Sequence, residues 1–99
     1  MISSKRRFQV GRLFVTPAAI AALTVNGQTP REFIRRHVTG DWGVLCEEGK
    51  QQNEQALVDG SRLLSAYRLT NGEKLWIITE AIDDDGRRTV TTCLLPSDY

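Results

Sequence analysis

The stretch from Arg62 to Pro96 constrains this chain most, because it reads as a continuous antiparallel meander. Two apolar runs, Leu63 to Leu69 and Leu75 to Ala81, flank Thr70-Asn71-Gly72-Glu73, and Asn-Gly between such runs is a strong hairpin signal. A third run, Thr89 to Leu95, follows the turn-forming Asp83-Asp84-Asp85-Gly86 and stops at Pro96, which cannot donate to a ladder. A loop made of Asn71 and Gly72 alone pairs Tyr67 with Trp76, Ser65 with Ile78 and Leu63 with Glu80 on one face. Leu64, Ala66, Leu75, Ile77 and Thr79 take the other. Both faces are substantially apolar, so helices are expected over one, with Tyr67 and Trp76 half-buried or part of a contact surface.

Upstream, Phe8 to Val15 has the length and apolar content of a strand, with Gly11 marking a bulge or a close backbone approach. Its expected place is beside the meander at an edge, in either direction. Thr16-Pro17 reads as an N-cap and a first-turn proline for a short apolar helix that runs through Leu23 and ends at Asn26-Gly27. Thr29-Pro30-Arg31-Glu32 starts a second helix, with Thr29 and Glu32 forming a capping box. In that helix Phe33, Ile34, His37 and Val38 make an inward stripe, which leaves Arg31, Arg35 and Arg36 towards water. Gly40-Asp41-Trp42-Gly43 turns tightly, and Trp42 is expected to plug the space between helices and sheet. His37, Asp41 and Trp42 are therefore read as structural anchors. A third helix is expected over about Lys50–Asp59, before Gly60. The predicted class is α+β: an N-terminal strand, three short helices, then a three-stranded antiparallel meander. It forms a single domain over 8–99, after a mobile start over 1–7.

The 99 residues suit one domain, and 25% charged residues with a net charge of +1 give no global pull towards nucleic acid or membrane. Binding must come from local patches. Cys46 and Cys93 stand far apart without metal or redox spacing, which fits two reduced, packing cysteines. No run approaches the ~20 apolar residues of a membrane span, so a cytoplasmic location is expected. His37, Asp41 and the nearby Glu47-Glu48 outline a metal or acid–base site on paper, although a lone histidine on an inner stripe ordinarily packs. Asp83-Asp84-Asp85-Gly86 lacks the remaining spacing of a calcium loop and reads as a solvated hairpin tip. No metal or cofactor is expected, and the absence of nucleotide, zinc and triad motifs disfavours catalysis. The basic residues fall into three groups: Lys5-Arg6-Arg7, Arg31/Arg35/Arg36 and Arg87-Arg88. Brought together, they would meet phosphates or an acidic protein surface.

Several blocks carry a resemblance: Arg36-His37-Val38-Thr39-Gly40-Asp41-Trp42-Gly43, Asn53-Glu54-Gln55-Ala56-Leu57, Leu64-Ser65-Ala66-Tyr67, Leu75 to Ala81, and Thr91 to Tyr99. Together they resemble a family of small plasmid-related bacterial proteins met on mobile elements. That family carries no agreed activity. Its last hairpin is short, and Ile82 to Gly86 lengthens it here. The resemblance implies a mobile-element setting, in which small proteins commonly block host defence or regulate the element. The leading expectation is a non-catalytic interaction protein with a protein partner, such as a restriction or CRISPR-type complex. Its expected contact residues are Arg31, Arg35, Arg36, Tyr67, Trp76, Arg87 and Arg88. The alternatives are a nucleic-acid-binding regulator that uses the basic groups and a small enzyme around His37 and Asp41.

Overall fold

The Asn71-Gly72 hairpin forms, but through a longer loop than the dipeptide predicts. In the computed structural model, which describes residues 5–99, the Gly72 N–H donates to the Leu69 carbonyl (2.8 Å) and the Leu69 N–H to the Glu73 carbonyl (2.7 Å). Gly72 takes φ +90°. A turn followed by one left-handed residue is the geometry of a three-residue loop, here Thr70, Asn71 and Gly72. Strand β2 (Leu63–Arg68) accordingly pairs with β3 (Lys74–Thr79) as Leu63↔Thr79, Ser65↔Ile77 and Tyr67↔Leu75. This is one residue out from the predicted register. Such a slip moves one strand's side chains to the opposite face, so Tyr67 and Trp76 do not share a face as expected.

Strand β4 (Val90–Leu94) continues the antiparallel meander beside β3, and β1 (Arg12–Val15) joins β4 in parallel. The sheet is thus four-stranded and mixed, in the order β1-β4-β3-β2, which corrects the three-stranded antiparallel expectation. A parallel neighbour needs a long crossover, and the helices and the hairpin between β1 and β4 supply it. The first strand is shorter than predicted. Its start is set by Gly11, at φ +66°, where an added Cβ would lie 2.3 Å from the Thr89 carbonyl carbon. The close backbone approach expected at Gly11 is therefore present.

Three helices follow β1: α1 (Pro17–Val25), α2 (Pro30–Val38) and α3 (Glu47–Asp59). Thr16 caps α1 as predicted, its Oγ1 accepting from the Ala19 N–H (3.1 Å). The capping box on α2 does not form, because Thr29 makes no side-chain cap bond and Glu32 instead accepts from Gln28 Nε2 (3.2 Å). Helix α3 begins earlier than predicted, with Glu47 and Glu48 in the first turn, where the helix dipole favours carboxylates. Gly60 closes it in the left-handed conformation. On the sheet's inner face, Tyr67, Leu75, Ile77 and Cys93 bury against Ala19, Ala22 and Leu23 of α1 and Phe33 of α2. Ala56 of α3 and Trp42 close over Leu63, so Trp42 is the plug that was expected. Each large apolar side chain taken out of water in this layer contributes roughly 1.5–3 kcal/mol.

Among the described residues no α-helix covers the outer face, where the short 3-10 helix Pro96–Asp98 lies against β3, Trp76 is half-buried and Phe14 is 50% exposed. There the ring of Tyr99 meets Trp76 edge-on at 5.8 Å. Of the two free cysteines only Cys93 packs in the core, where burial pushes its thiol up to about 12; Cys46 is exposed, against expectation. Among the described residues no helix is long and apolar enough to cross a membrane. The mobile start expected over 1–7 lies, for residues 1–4, outside the described residues. At its end Arg7 is held: its N–H donates to the Val38 carbonyl (2.7 Å) and its guanidinium forms a two-pronged pair with Glu54 (2.8 and 2.9 Å).

Candidate functional site

His37 sits at the centre of a hydrogen-bonded chain beneath the inner sheet face, fully buried together with Ser65, Thr79 and Thr91. The donors can be assigned from its far end. Thr91 Oγ1 donates to the Val10 carbonyl (2.8 Å), so it must accept from Thr79 Oγ1 (2.7 Å). Thr79, having given its proton, accepts from His37 Nε2 (2.9 Å), and His37 Nδ1 then accepts from Ser65 Oγ (2.5 Å). The imidazole is a neutral Nε2–H tautomer with both nitrogens satisfied. Burial, and then the nearby charge of Arg88, push its pKa down to about 3. Asp41, drawn with His37 in the acid–base reading, is not its partner. Its carboxylate accepts from Arg36 Nε (2.7 Å) and from the Gly43 N–H (3.1 Å), and these bonds hold it below the usual carboxylate range. Among the described residues the Ser65–His37 pair has no solvent access and no carboxylate hydrogen-bonded to the ring, and Asp41 is tied to Arg36 instead.

Two of the expected contact residues prove to be interior. Tyr67 is fully buried; its hydroxyl donates to the Asp41 carbonyl (2.7 Å), and Arg36 lies over its ring at 4.6 Å. The register shift explains this, since it turns Tyr67 towards the helices. Arg88 is 8% exposed and donates to three carbonyls, Ser61 (2.8 Å), Glu80 (3.0 Å) and Ala56 (3.0 Å). It ties the end of α3 to the sheet, a use of arginine that a dipeptide pattern does not reveal. Arg36 is exposed but committed to Asp41. Arg87 is exposed beside a shallow depression that also contains Asp59, while Trp76 belongs to the outer sheet face.

What remains of the basic groups converges. The bond from Arg7 to Val38 lays the N-terminal segment across the end of α2, and Arg7 passes so close to Gly40 that a Cβ there would meet its Nη1 at 2.5 Å. Arg6 consequently joins Arg31 and Arg35 around a groove whose floor is Ile34 and Val38. All three arginines are exposed, and among the described residues none is paired with a carboxylate. Arg35 and Arg36 lie in the last turn of α2, where positive charge complements the helix dipole. The groove thus presents three free guanidinium groups around an apolar strip. It is suited to an extended acidic segment that also carries an apolar side chain. Arg31 and Arg35 are among the contact residues expected from the sequence; the convergence of Arg6 on them depends on a backbone bond that no local pattern signals.

Comparison of the chain with protein-family models, with curated proteins and with solved structures finds no match.

Proposed function

We propose that the chain is a non-catalytic interaction module that takes an acidic segment of a partner protein into the groove formed by Arg6, Arg31 and Arg35. The observation that carries this reading is the convergence of three arginines, none with a carboxylate partner among the described residues, on the apolar strip of Ile34 and Val38. Elsewhere the chain uses its arginines as structural ties, as at Arg7, Arg36 and Arg88. With the resemblance to mobile-element proteins, the partner class is a cytoplasmic host-defence complex, and the consequence of binding is its inhibition. A second reading, binding of nucleic acid, has the same three charges in its favour, since guanidinium also matches phosphate. Against it stand the absence of an aromatic side chain in the groove and the net charge of +1.

The test is affinity purification from a bacterial lysate with and without nuclease, using the wild-type chain and an Arg31→Glu/Arg35→Glu variant. Both side chains are exposed and unpaired, so the variant should melt within about 1 kcal/mol of wild type. A stoichiometric protein that resists nuclease should be recovered, and the variant should retain it at least about tenfold less well. Equal recovery by wild type and variant removes the groove from the reading. Recovery that vanishes with nuclease moves the function to nucleic acid.

A further inference from the structure

The two edges of the sheet are treated differently. The outer edge of β2 is sealed by the chain itself. Asn53 donates from Nδ2 to the Leu64 carbonyl (2.6 Å) and accepts from the Leu64 N–H (3.1 Å). The loop after α2 adds bonds from the Ala66 N–H to the Trp42 carbonyl (3.2 Å) and from the Val44 N–H to the Ala66 carbonyl (2.7 Å). Among the described residues nothing comparable covers β1. Bonds from the Arg12 N–H to Thr89 (2.8 Å) and from the Thr16 N–H to Cys93 (3.0 Å) fix the alternation on its inner side. The N–H and C=O groups of Leu13 and Val15 therefore face away from β4, without a partner among the described residues. Leu13 is 45% and Phe14 50% exposed, one on each face of the sheet. An open edge with apolar side chains on both faces is a template for another strand.

We propose that this edge is occupied by the β1 strand of a second copy of the chain, in antiparallel register about Phe14. Three features of the edge fit that occupant. In this register Leu13 lies opposite Val15 of the other copy on both sides of the axis, which satisfies all four outward backbone groups of each strand with four hydrogen bonds. Phe14 meets its own symmetry mate as the close, non-hydrogen-bonded pair on the outer face. Arg12 comes opposite Thr16 of the other copy, and Thr16 Oγ1 already holds the carboxylate of Asp98 at 2.7 Å. That carboxylate uses Oδ2 for both of its internal bonds, to Thr16 and to the Leu95 N–H (3.0 Å), leaving Oδ1 for a guanidinium. Arg12 has no ion-pair partner within its own chain among the described residues. The self-complementary contact is bounded by the left-handed Gly11 on one side and by Pro17, which has no N–H, on the other. The product is a closed pair with a continuous eight-stranded sheet and two copies of the basic groove.

Sedimentation over a concentration series tests this, together with amide exchange at Leu13 and Val15. The mass should rise from 11.1 kDa towards twice that value as concentration increases, and the two amides should become protected in step. Phe14→Glu, which sets two carboxylates against each other at the axis, should remain at the monomer mass with an unchanged melting profile in dilute solution. Arg12→Asp should weaken association, and Arg12→Asp combined with Asp98→Arg should recover it. A chain that stays monomeric at every concentration overturns the proposal. So does a dimer that survives Phe14→Glu or forms without protecting Leu13 and Val15.

Discussion

His37→Ala should destabilise the domain by about 3–5 kcal/mol, measured as the free energy of urea unfolding. The imidazole links Ser65 to Thr79, and both hydroxyls are fully buried. Its removal leaves a cavity and strands the Ser65 hydroxyl, which alone costs about 1–3 kcal/mol, while Thr79 keeps its bond to Thr91 (2.7 Å). His37→Phe separates the two contributions: it restores volume but not hydrogen bonding, so it should still cost about 2 kcal/mol or more. A neutral His37→Phe would show that the polar chain contributes nothing. The same burial gives a pH signature. The folded-state pKa lies at about 3, below the ordinary 6.5, so His37 contributes stability that is fully present above pH 6.5 and is lost as pH falls towards 3. In that window the unfolded chain takes up a proton that the folded chain refuses, at about 1.4 kcal/mol per pH unit. Between pH 7 and pH 5 the loss should be about 2 kcal/mol. His37 is the only histidine, and the carboxylates with lowered pKa, Asp41, Glu54, Asp59 and Asp98, titrate below that range. His37→Phe should therefore flatten the profile between pH 7 and pH 5, and an unaltered slope would contradict the assignment.

Elements specified by short-range chemistry were legible in the sequence. Thr16-Pro17, Gly60 and the inward stripe of α2 act within a turn or two, and each stands where it was read. Apart from the capping box of Thr29 and Glu32, which does not form, what escaped depended on contacts distant in sequence or on a choice between nearly equal turns. Asn-Gly fixes a hairpin but not its loop length, and the extra residue in the loop carried Tyr67 from the surface to the core. The direction of β1 was set by a crossover, not by its own residues. Arginines were the least legible. Arg88 and Arg36 look like Arg31 and Arg35 in a sequence, yet the first two find partners through chain segments that only the fold brings near. The blocks behind the family resemblance have a structural explanation as well. His37, Trp42, Asn53, Glu54 and Ser65, which lie in those blocks, are buried or bonded in the frame.

Gly43→Ala should cost more than about 3 kcal/mol, and it should do so through the β2 edge. Gly43 lies at φ +77°, and an added Cβ would stand 1.9 Å from the Ala66 carbonyl oxygen and 2.7 Å from Tyr67 Cδ1. Neither neighbour can give way cheaply. The Ala66 oxygen accepts from the Val44 N–H, and Tyr67 is fixed at both its ring and its hydroxyl. The loop would have to lift from β2, giving up its two bonds to Ala66 and displacing Trp42, whose Nε1 donates to Glu54 (2.9 Å). An uncovered β2 edge is also a site for intermolecular pairing, so the variant should aggregate on heating where the wild type does not. Gly72→Ala is the control. That residue also has positive φ, at +90°, but nothing lies within 4 Å of the added Cβ, so only the backbone preference is lost, at about 1 kcal/mol. The difference between the two variants measures the close approach free of the conformational penalty. Equal losses would mean that the loop does not seal the edge, and β2 would then be as open to a partner as β1.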